Sequence, residues 1–145
     1  MTDAAPRSSL IKPSLQTHFH IDFAWWQQNE RDWHVHMRNL LCAEHQESFA
    51  QFASGEMIDF IDPETAEVRP MDGIQQVILS HCARQPEWVT TQTALVEAVF
   101  RIFLSNGNSP LSPQDLSERL GRPANVILQT LAGPRVYKGI RPILD

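Results

Sequence analysis

A short segment in the last third of the chain most constrains the fold, because it carries a nearly complete set of helix signals. Ser112 is suited to cap a helix N-terminus, and Pro113 is suited to the first helical position. Asp115 stands at the third position, where its charge meets the positive end of the helix dipole. Gly121 has the residue type that favours the left-handed backbone past a helix end. The sequence therefore predicts a helix bounded by Ser112 and Gly121.

Helices are also predicted on both sides of this segment. The preceding one has an apolar stripe at helical spacing, made of Leu95, Val99, Ile102 and Phe103, and Asn106-Gly107-Asn108 stops it. Pro123 fits the first position of a following helix that runs to about Leu131. The tail RVYKGIRPIL, with Lys138-Gly139 at its turn, predicts two basic strands.

The segment LSPQDLSERLGRPANVILQTLAG resembles the core of the helix-turn-helix superfamily, and the tail after it resembles a wing. The positions that match the core residues and turn glycine of that motif are Leu116, Leu120, Gly121, Ile127 and Leu131. Ser117 stands where close helix crossing requires a small side chain. The resemblance covers residues 91–142 and implies a winged helix-turn-helix domain that binds DNA, RNA or protein.

Charge is distributed unevenly around this segment. The whole chain has a net charge of -5, which argues against nonspecific coating of nucleic acid. From Arg119 onward, however, five basic residues face only one acid, Asp145. The candidate nucleic-acid contacts are Arg122, Arg135, Lys138 and Arg141 for phosphates, with Asn125 and Gln129 for adenine edges. Two alternatives stay open: the basic residues form a solvated face, or the outward Leu128 favours a protein partner.

The first part of the chain predicts a mixture of short helices and strands. The predicted elements are a polar tail over 1–17, a strand over 18–23, a helix from Ala24 to Leu41 capped by Asp22, a helix from Ala43 to Ala53, strands over 56–62 and near 68–73 around a turn at 63–65, and a helix from Gly73 to Ala83. Gln85-Pro86 ends the last helix and is the predicted domain boundary. The fold class is mainly α with small β elements (α+β).

Two parts follow from this division. Residues 18–86 form an acidic α+β module, since residues 1–84 carry 12 Asp and Glu against six Lys and Arg. Residues 87–145 form the winged-helix-like part. Consecutive Trp25 and Trp26 cannot both point inward on a helix, so one of them is expected at an interface between domains or chains.

A zinc site is predicted within the acidic module. Cys42 and His45 stand three residues apart, and His81 and Cys82 complete a Cys2His2 set. Four protein ligands leave no open position, so the metal would be structural.

Other interpretations of these residues stay open at this stage. Adjacent side chains on a helix diverge by about 100°, so one of His81 and Cys82 would miss the metal if both were helical, and His34 or His36 would then substitute. The cysteines can also be separate buried thiols or form a disulfide.

The sequence contains no nucleophile motif, phosphate loop or dinucleotide fingerprint, so we expect a protein that is not an enzyme. The enzyme alternative is a metal-assisted hydrolase using His18, His20 and His81. We expect a cytoplasmic, nucleic-acid-binding, transcription-regulator-like protein, with no export signal and no membrane span. The acidic module or an exposed tryptophan would contact a protein partner. The alternative is a small accessory subunit that uses the winged helix to dock on a larger assembly.

Overall fold

The structure, a computed structural model, describes residues 12–29, 33–48, 57–61 and 65–143. Its elements in chain order are β1 (Phe19–Ile21), α1 (Phe23–Gln28), α2 (Trp33–Leu40), α3 (Ala43–Ser48), β2 (Met57–Ile61), β3 (Val68–Asp72), α4 (Gly73–Ser80), a 3₁₀ helix (Cys82–Arg84), α5 (Leu95–Ser105), α6 (Pro113–Leu120), α7 (Ala124–Leu131) and β4 (Ile140–Pro142). Helices predominate and the strands are short, which confirms the α+β class. No helix within these ranges is long and apolar enough to cross a membrane.

The strands form two separate antiparallel pairs. β2 pairs with β3, as the sequence predicts for a hairpin, and β1 pairs with β4 in a register that sets Ile21 opposite Ile140. The prediction that the tail forms two strands is wrong, because among the described residues the tail contributes a single strand, β4. The tail turns back onto β1 and α1 instead: Asp22 N donates to Gly139 O at 2.8 Å and the Trp26 indole donates to Lys138 O at 3.0 Å.

Buried side chains from β1, β4 and helices of both predicted parts form one hydrophobic cluster. Its members include Phe19, Ile21, Trp26, Met37, Ile74, Ile78, Cys82, Trp88, Phe100, Phe103, Leu116, Ile127 and Ile140. The cluster contains residues from both sides of the predicted boundary at Gln85-Pro86. The two predicted parts are therefore in contact through a shared core.

Local sequence signals determine the ends of the C-terminal helices. The Ser112 hydroxyl accepts from Asp115 N at 3.1 Å, and the Asp115 carboxylate accepts from Ser112 N at 3.0 Å, which together form a capping box. Gly121 ends α6 in the left-handed region, at φ 68°, and α5 ends at Asn106. Pro123 precedes α7 at its N-cap and is not its first residue.

The N-terminal helices differ from the sequence prediction. Asp22 does cap α1, through a bond from Ala24 N at 3.1 Å, but a single helix from Ala24 to Leu41 is wrong. Asn29 is the C-cap of α1, with a backbone at φ -101° and ψ 19° that leaves the helical conformation, and its side-chain amide donates to Trp25 O at 2.7 Å. The next helix, α2, begins at Trp33.

Three other predicted boundaries either differ from the structure or lie outside the residues that it describes. The helix from Ala43 is described only to Ser48, and the rest of its predicted span lies outside the described residues. The predicted turn residues Pro63 and Glu64 also lie outside them. The helix predicted to reach Ala83 ends at Ser80.

Candidate metal centre and C-terminal surface

Two neighbouring helix ends carry the predicted metal ligands. Cys42 lies between α2 and α3, and His45 lies in the first part of α3. His81 and Cys82 follow directly after α4, which packs against α2. The ligand atoms of these four residues all lie within 4.8 Å of one another. The structure therefore brings together the complete set that the sequence predicts.

The end of α4 explains how two adjacent residues reach one centre. His81 has a backbone at φ -136° and ψ -64°, which is not helical, and Cys82 begins the 3₁₀ helix. The divergence expected for neighbours on a continuous α-helix therefore does not apply.

The substitute ligands considered from the sequence are not needed. The His36 ring packs against Trp26 and Phe100, at centroid distances of 5.5 and 5.1 Å, and is not part of the cluster. The His34 side chain lies outside the described part of the structure.

Four of the six distances between ligand atoms are close to those of a tetrahedral zinc site. Bonds of about 2.3 Å to sulfur and about 2.0 Å to nitrogen place ligand atoms about 3.8 Å apart for sulfur–sulfur pairs and about 3.5 Å apart for sulfur–nitrogen pairs. The Cys42 and Cys82 sulfurs lie 3.5 Å apart. Cys42 Sγ lies 3.2 Å from His45 Nδ1 and 3.6 Å from His81 Nδ1, and Cys82 Sγ lies 3.7 Å from His45 Nδ1. Small shifts of the side chains would complete the tetrahedron.

The two cysteines are free thiols that face each other. Their sulfur separation of 3.5 Å is far longer than a disulfide bond of about 2.05 Å. They are also not the unrelated buried thiols that the sequence allows as an alternative. Cys42 N donates to Cys82 Sγ at 3.4 Å, which ties the two ligand pairs together before any metal binds.

Burial raises the pKa of the Cys82 thiol to about 11 in the metal-free protein. The side chain is 1% exposed and belongs to the hydrophobic core. A thiolate is the form that binds metal, so binding at Cys82 must displace this proton. Metal affinity is therefore expected to rise with pH.

A cavity of about 210 Å³ borders the cluster. Cys42, Cys82, Trp88 and Arg101 are among its lining residues.

The residues of the enzyme alternative are not assembled. His81 lies in the four-ligand cluster, whereas His20 is in β1 and His18 directly precedes it. Neither belongs to the cluster.

The outward face of α7 carries the two amides predicted to face nucleic acid. Asn125 and Gln129 are exposed and one helical turn apart, so they lie on the same face. Val126 beside them is 43% exposed, and α7 contains no charged residue.

The four basic residues predicted to contact phosphates have different surroundings. Arg122 donates to Thr93 O at 2.6 Å, and Lys138 lies 3.4 Å from the Glu97 carboxylate, so both are directed toward internal partners. Arg141 is exposed and lies 3.4 Å from Asp22. Arg135 is exposed and its guanidinium stacks on Tyr137, 5.2 Å from the ring centroid.

Sequence reasoning missed two acids that the structure places at charged clusters. Glu44 lies beside His45 and His81, and Glu97 lies beside Arg101 and Lys138. The position of Glu44 inside the Cys-Ala-Glu-His segment was the available signal.

Of the tryptophans, Trp26 and Trp88 are buried, while Trp25 is half-buried and packs edge-on against Trp26 at 5.7 Å.

Comparisons with protein-family models, curated proteins and solved structures found no match to this chain. The winged-helix resemblance stays a prediction from the sequence.

Proposed function

We propose that this protein is a non-enzymatic, regulator-like binding protein whose fold is stabilised by a structural zinc ion. The observation that carries the proposal is the set of four ligand atoms, from Cys42, His45, His81 and Cys82, within 4.8 Å of one another. Two sulfur and two imidazole ligands in a tetrahedron are typical of structural zinc. Four protein ligands leave no position for a water or substrate, which supports a role in folding and not in catalysis.

The ion would link segments that are far apart in sequence. It would join the α2–α3 junction at Cys42 to the end of α4 at Cys82, and so close a loop that contains β2 and β3. An ion that binds only the folded state stabilises it, by about 2.7 kcal/mol at a free concentration 100 times its dissociation constant.

Metal titration tests this proposal. Chelator-treated protein is expected to bind one Zn²⁺ per chain, and Co²⁺ in its place is expected to give the absorption of a tetrahedral site with two thiolates. His81→Ala should remove stoichiometric binding, because it removes one ligand at a half-exposed position outside the core. His18→Ala is the matched control, since His18 is exposed and outside the cluster.

Wild-type protein that binds no metal, and whose unfolding midpoint does not change after chelation, would contradict the zinc centre. Loss of metal in both histidine variants would show that the cluster was wrongly assigned.

The second part of the proposal is a binding surface on α7 and the tail after it, with nucleic acid as the ligand. Exposed Asn125 and Gln129 are the residue types that pair with adenine edges, and exposed Arg135 is suited to phosphates. Arg141 lies 3.4 Å from Asp22, but its side chain is 49% exposed, so a phosphate would compete with Asp22 for it. Arg122 and Lys138 have structural roles in this proposal, because their charges are directed to Thr93 and Glu97.

Fluorescence anisotropy of a mixed-sequence DNA duplex tests this surface at low and physiological salt. Micromolar binding that weakens steeply with salt is expected, because each phosphate contact releases counterions. Arg135→Ala should lower the affinity and reduce the salt slope by about 1. Arg84→Ala is the control. Arg84 is also an exposed arginine, but it lies in the 3₁₀ helix and not on α7 or the tail.

Absence of binding at low salt would reject nucleic acid and favour protein docking at the same surface. The specific observation in favour of that alternative is exposed Val126 on a helix that carries no charge. The protein would then be an accessory subunit, expected to co-purify with a stoichiometric partner that Val126→Asp releases.

A further inference from the structure

Glu44 lies against the outer side of the four-ligand cluster. It is the second residue of α3, between the ligands Cys42 and His45 in sequence. Its Oε2 lies 3.4 Å from His81 Nε2 and 3.9 Å from His45 Nδ1. A carboxylate from one ligand segment thus contacts a ligand from the other.

The two nitrogens of the His81 ring have different surroundings. Nδ1 lies 3.6 Å from Cys42 Sγ and so faces the cluster, while Nε2 faces Glu44. A neutral imidazole carries its proton on one nitrogen and its lone pair on the other. A carboxylate beside Nε2 favours the proton there, which leaves the Nδ1 lone pair directed at the metal position.

The His81 ring needs such an orienting contact. Its side chain is 42% exposed, and its backbone follows the end of α4 outside any helix. The ring has an edge-on contact with the His45 ring at a centroid distance of 4.5 Å, but it is not enclosed by the core as is Cys82, which is 1% exposed.

We propose that Glu44 is a positioning residue of the metal centre, which holds the His81 ring and its proton so that Nδ1 binds the ion. The inference rests on the zinc centre proposed above. Carboxylates that accept from the outer nitrogen of a metal-bound histidine raise the basicity of that ligand, and their loss typically weakens metal binding by about 10–100-fold. Glu44 is not a fifth ligand, because it lies outside the set whose atoms are all within 4.8 Å of one another.

The test is metal affinity of the full chain, measured with Zn²⁺ and Co²⁺ in competition with a chromophoric chelator. Glu44→Ala should bind about 10–100-fold more weakly than wild type. Glu44→Gln keeps an oxygen that can accept from Nε2 but lacks the charge, so its affinity should fall between the two. Glu87→Gln is the control, because Glu87 is an exposed acid that lines the cavity bordering both cysteines.

Two further measurements separate positioning from other roles. The Co²⁺ absorption of Glu44→Ala at saturation should match wild type, because the four ligands are unchanged. The unfolding midpoint of the metal-free variant should fall only slightly, from the loss of one charge in the first turn of α3, because Glu44 otherwise acts through the bound ion.

Each other result overturns the inference in a distinguishable way. Wild-type affinity in Glu44→Ala rejects the role of Glu44 and leaves the zinc centre intact. A changed Co²⁺ spectrum makes Glu44 a ligand, and an equal loss of stability in the metal-free protein makes its role purely structural. Wild-type protein that binds neither metal rejects the centre and this inference together.

Discussion

Gly139 is a residue at which both backbone conformation and space exclude a side chain. Its φ is +75°, and a Cβ there would lie 2.7 Å from Trp26 Nε1 and 3.0 Å from Asp22 O. Both neighbours are held in place, since Trp26 donates to Lys138 O and Asp22 N donates to Gly139 O. We expect Gly139→Ala to lower the free energy of unfolding by about 2–4 kcal/mol, from left-handed strain and overpacking together.

Gly121 offers a matched control for this substitution. Its φ is +68°, but nothing lies within 4 Å of its Cβ position. Gly121→Ala should therefore cost only the conformational strain, about 1 kcal/mol. Denaturant unfolding of both variants checks the difference. Equal losses of unfolding free energy would show that Trp26 moves away from the added methyl group without an energetic penalty.

At the scale of the elements, the start of α6 is stabilised by side chains of its own first turn. The Ser112 hydroxyl and the Asp115 carboxylate each accept from the backbone N–H of the other residue. We expect Ser112→Ala to destabilise the protein by about 1 kcal/mol, because it leaves a helix donor without its cap. Gln114→Ala is the control in the same turn, since Gln114 is exposed. Chemical denaturation should separate the two, and a wild-type midpoint for Ser112→Ala would count against the cap.

At the scale of the whole molecule, Glu97 of α5 links three segments through charge. Its carboxylate lies 2.8 Å from Arg101 of the same helix, 3.4 Å from Lys138 of the tail and 3.9 Å from His36 of α2. Burial alone would raise the pKa of Glu97, but the hydrogen bond from Arg101 and the charges of Lys138 and Arg101 lower it below its ordinary value. The ionised carboxylate therefore stabilises the fold.

The pH dependence follows from the direction of this pKa shift. Because the folded pKa lies below the unfolded one, the contribution is complete above about pH 4.3 and is lost as pH falls through the folded pKa. We expect Glu97→Gln to lower the free energy of unfolding by about 1–2 kcal/mol at pH 7, and by progressively less as the pH falls below about 4. Urea unfolding across this range measures the difference.

Glu118→Gln provides the control for this pH series. Glu118 is exposed on α6, so its replacement should change stability by no more than about 0.5 kcal/mol. A loss in Glu97→Gln that is the same at every pH would show that the ionised state of the carboxylate is not what stabilises the fold.

Local signals allowed the sequence to predict some of these features and not others. The N-cap at Ser112, the helix end at Gly121 and the cap at Asp22 were predicted, because each depends on residues within one helical turn. The break between α1 and α2 was missed, since the backbone leaves the helical conformation at Asn29, where the composition alone still favours a helix. The contact between Glu44 and His81 was missed because the two residues are far apart in the sequence and only the fold brings their segments together.

Residue type and short spacing were enough to predict the limits of α6, the end of α7 at Leu131 and the identity of the four candidate metal ligands. The pairing of β4 with β1, and the approach of both His81 and Cys82 to Cys42, depend on long-range packing that no local pattern indicates. The physical reason is the same in both cases. Which distant segments meet depends on the packing of the shared core and on where each helix ends within it. Described residues from Phe19 to Ile140 contribute to that core.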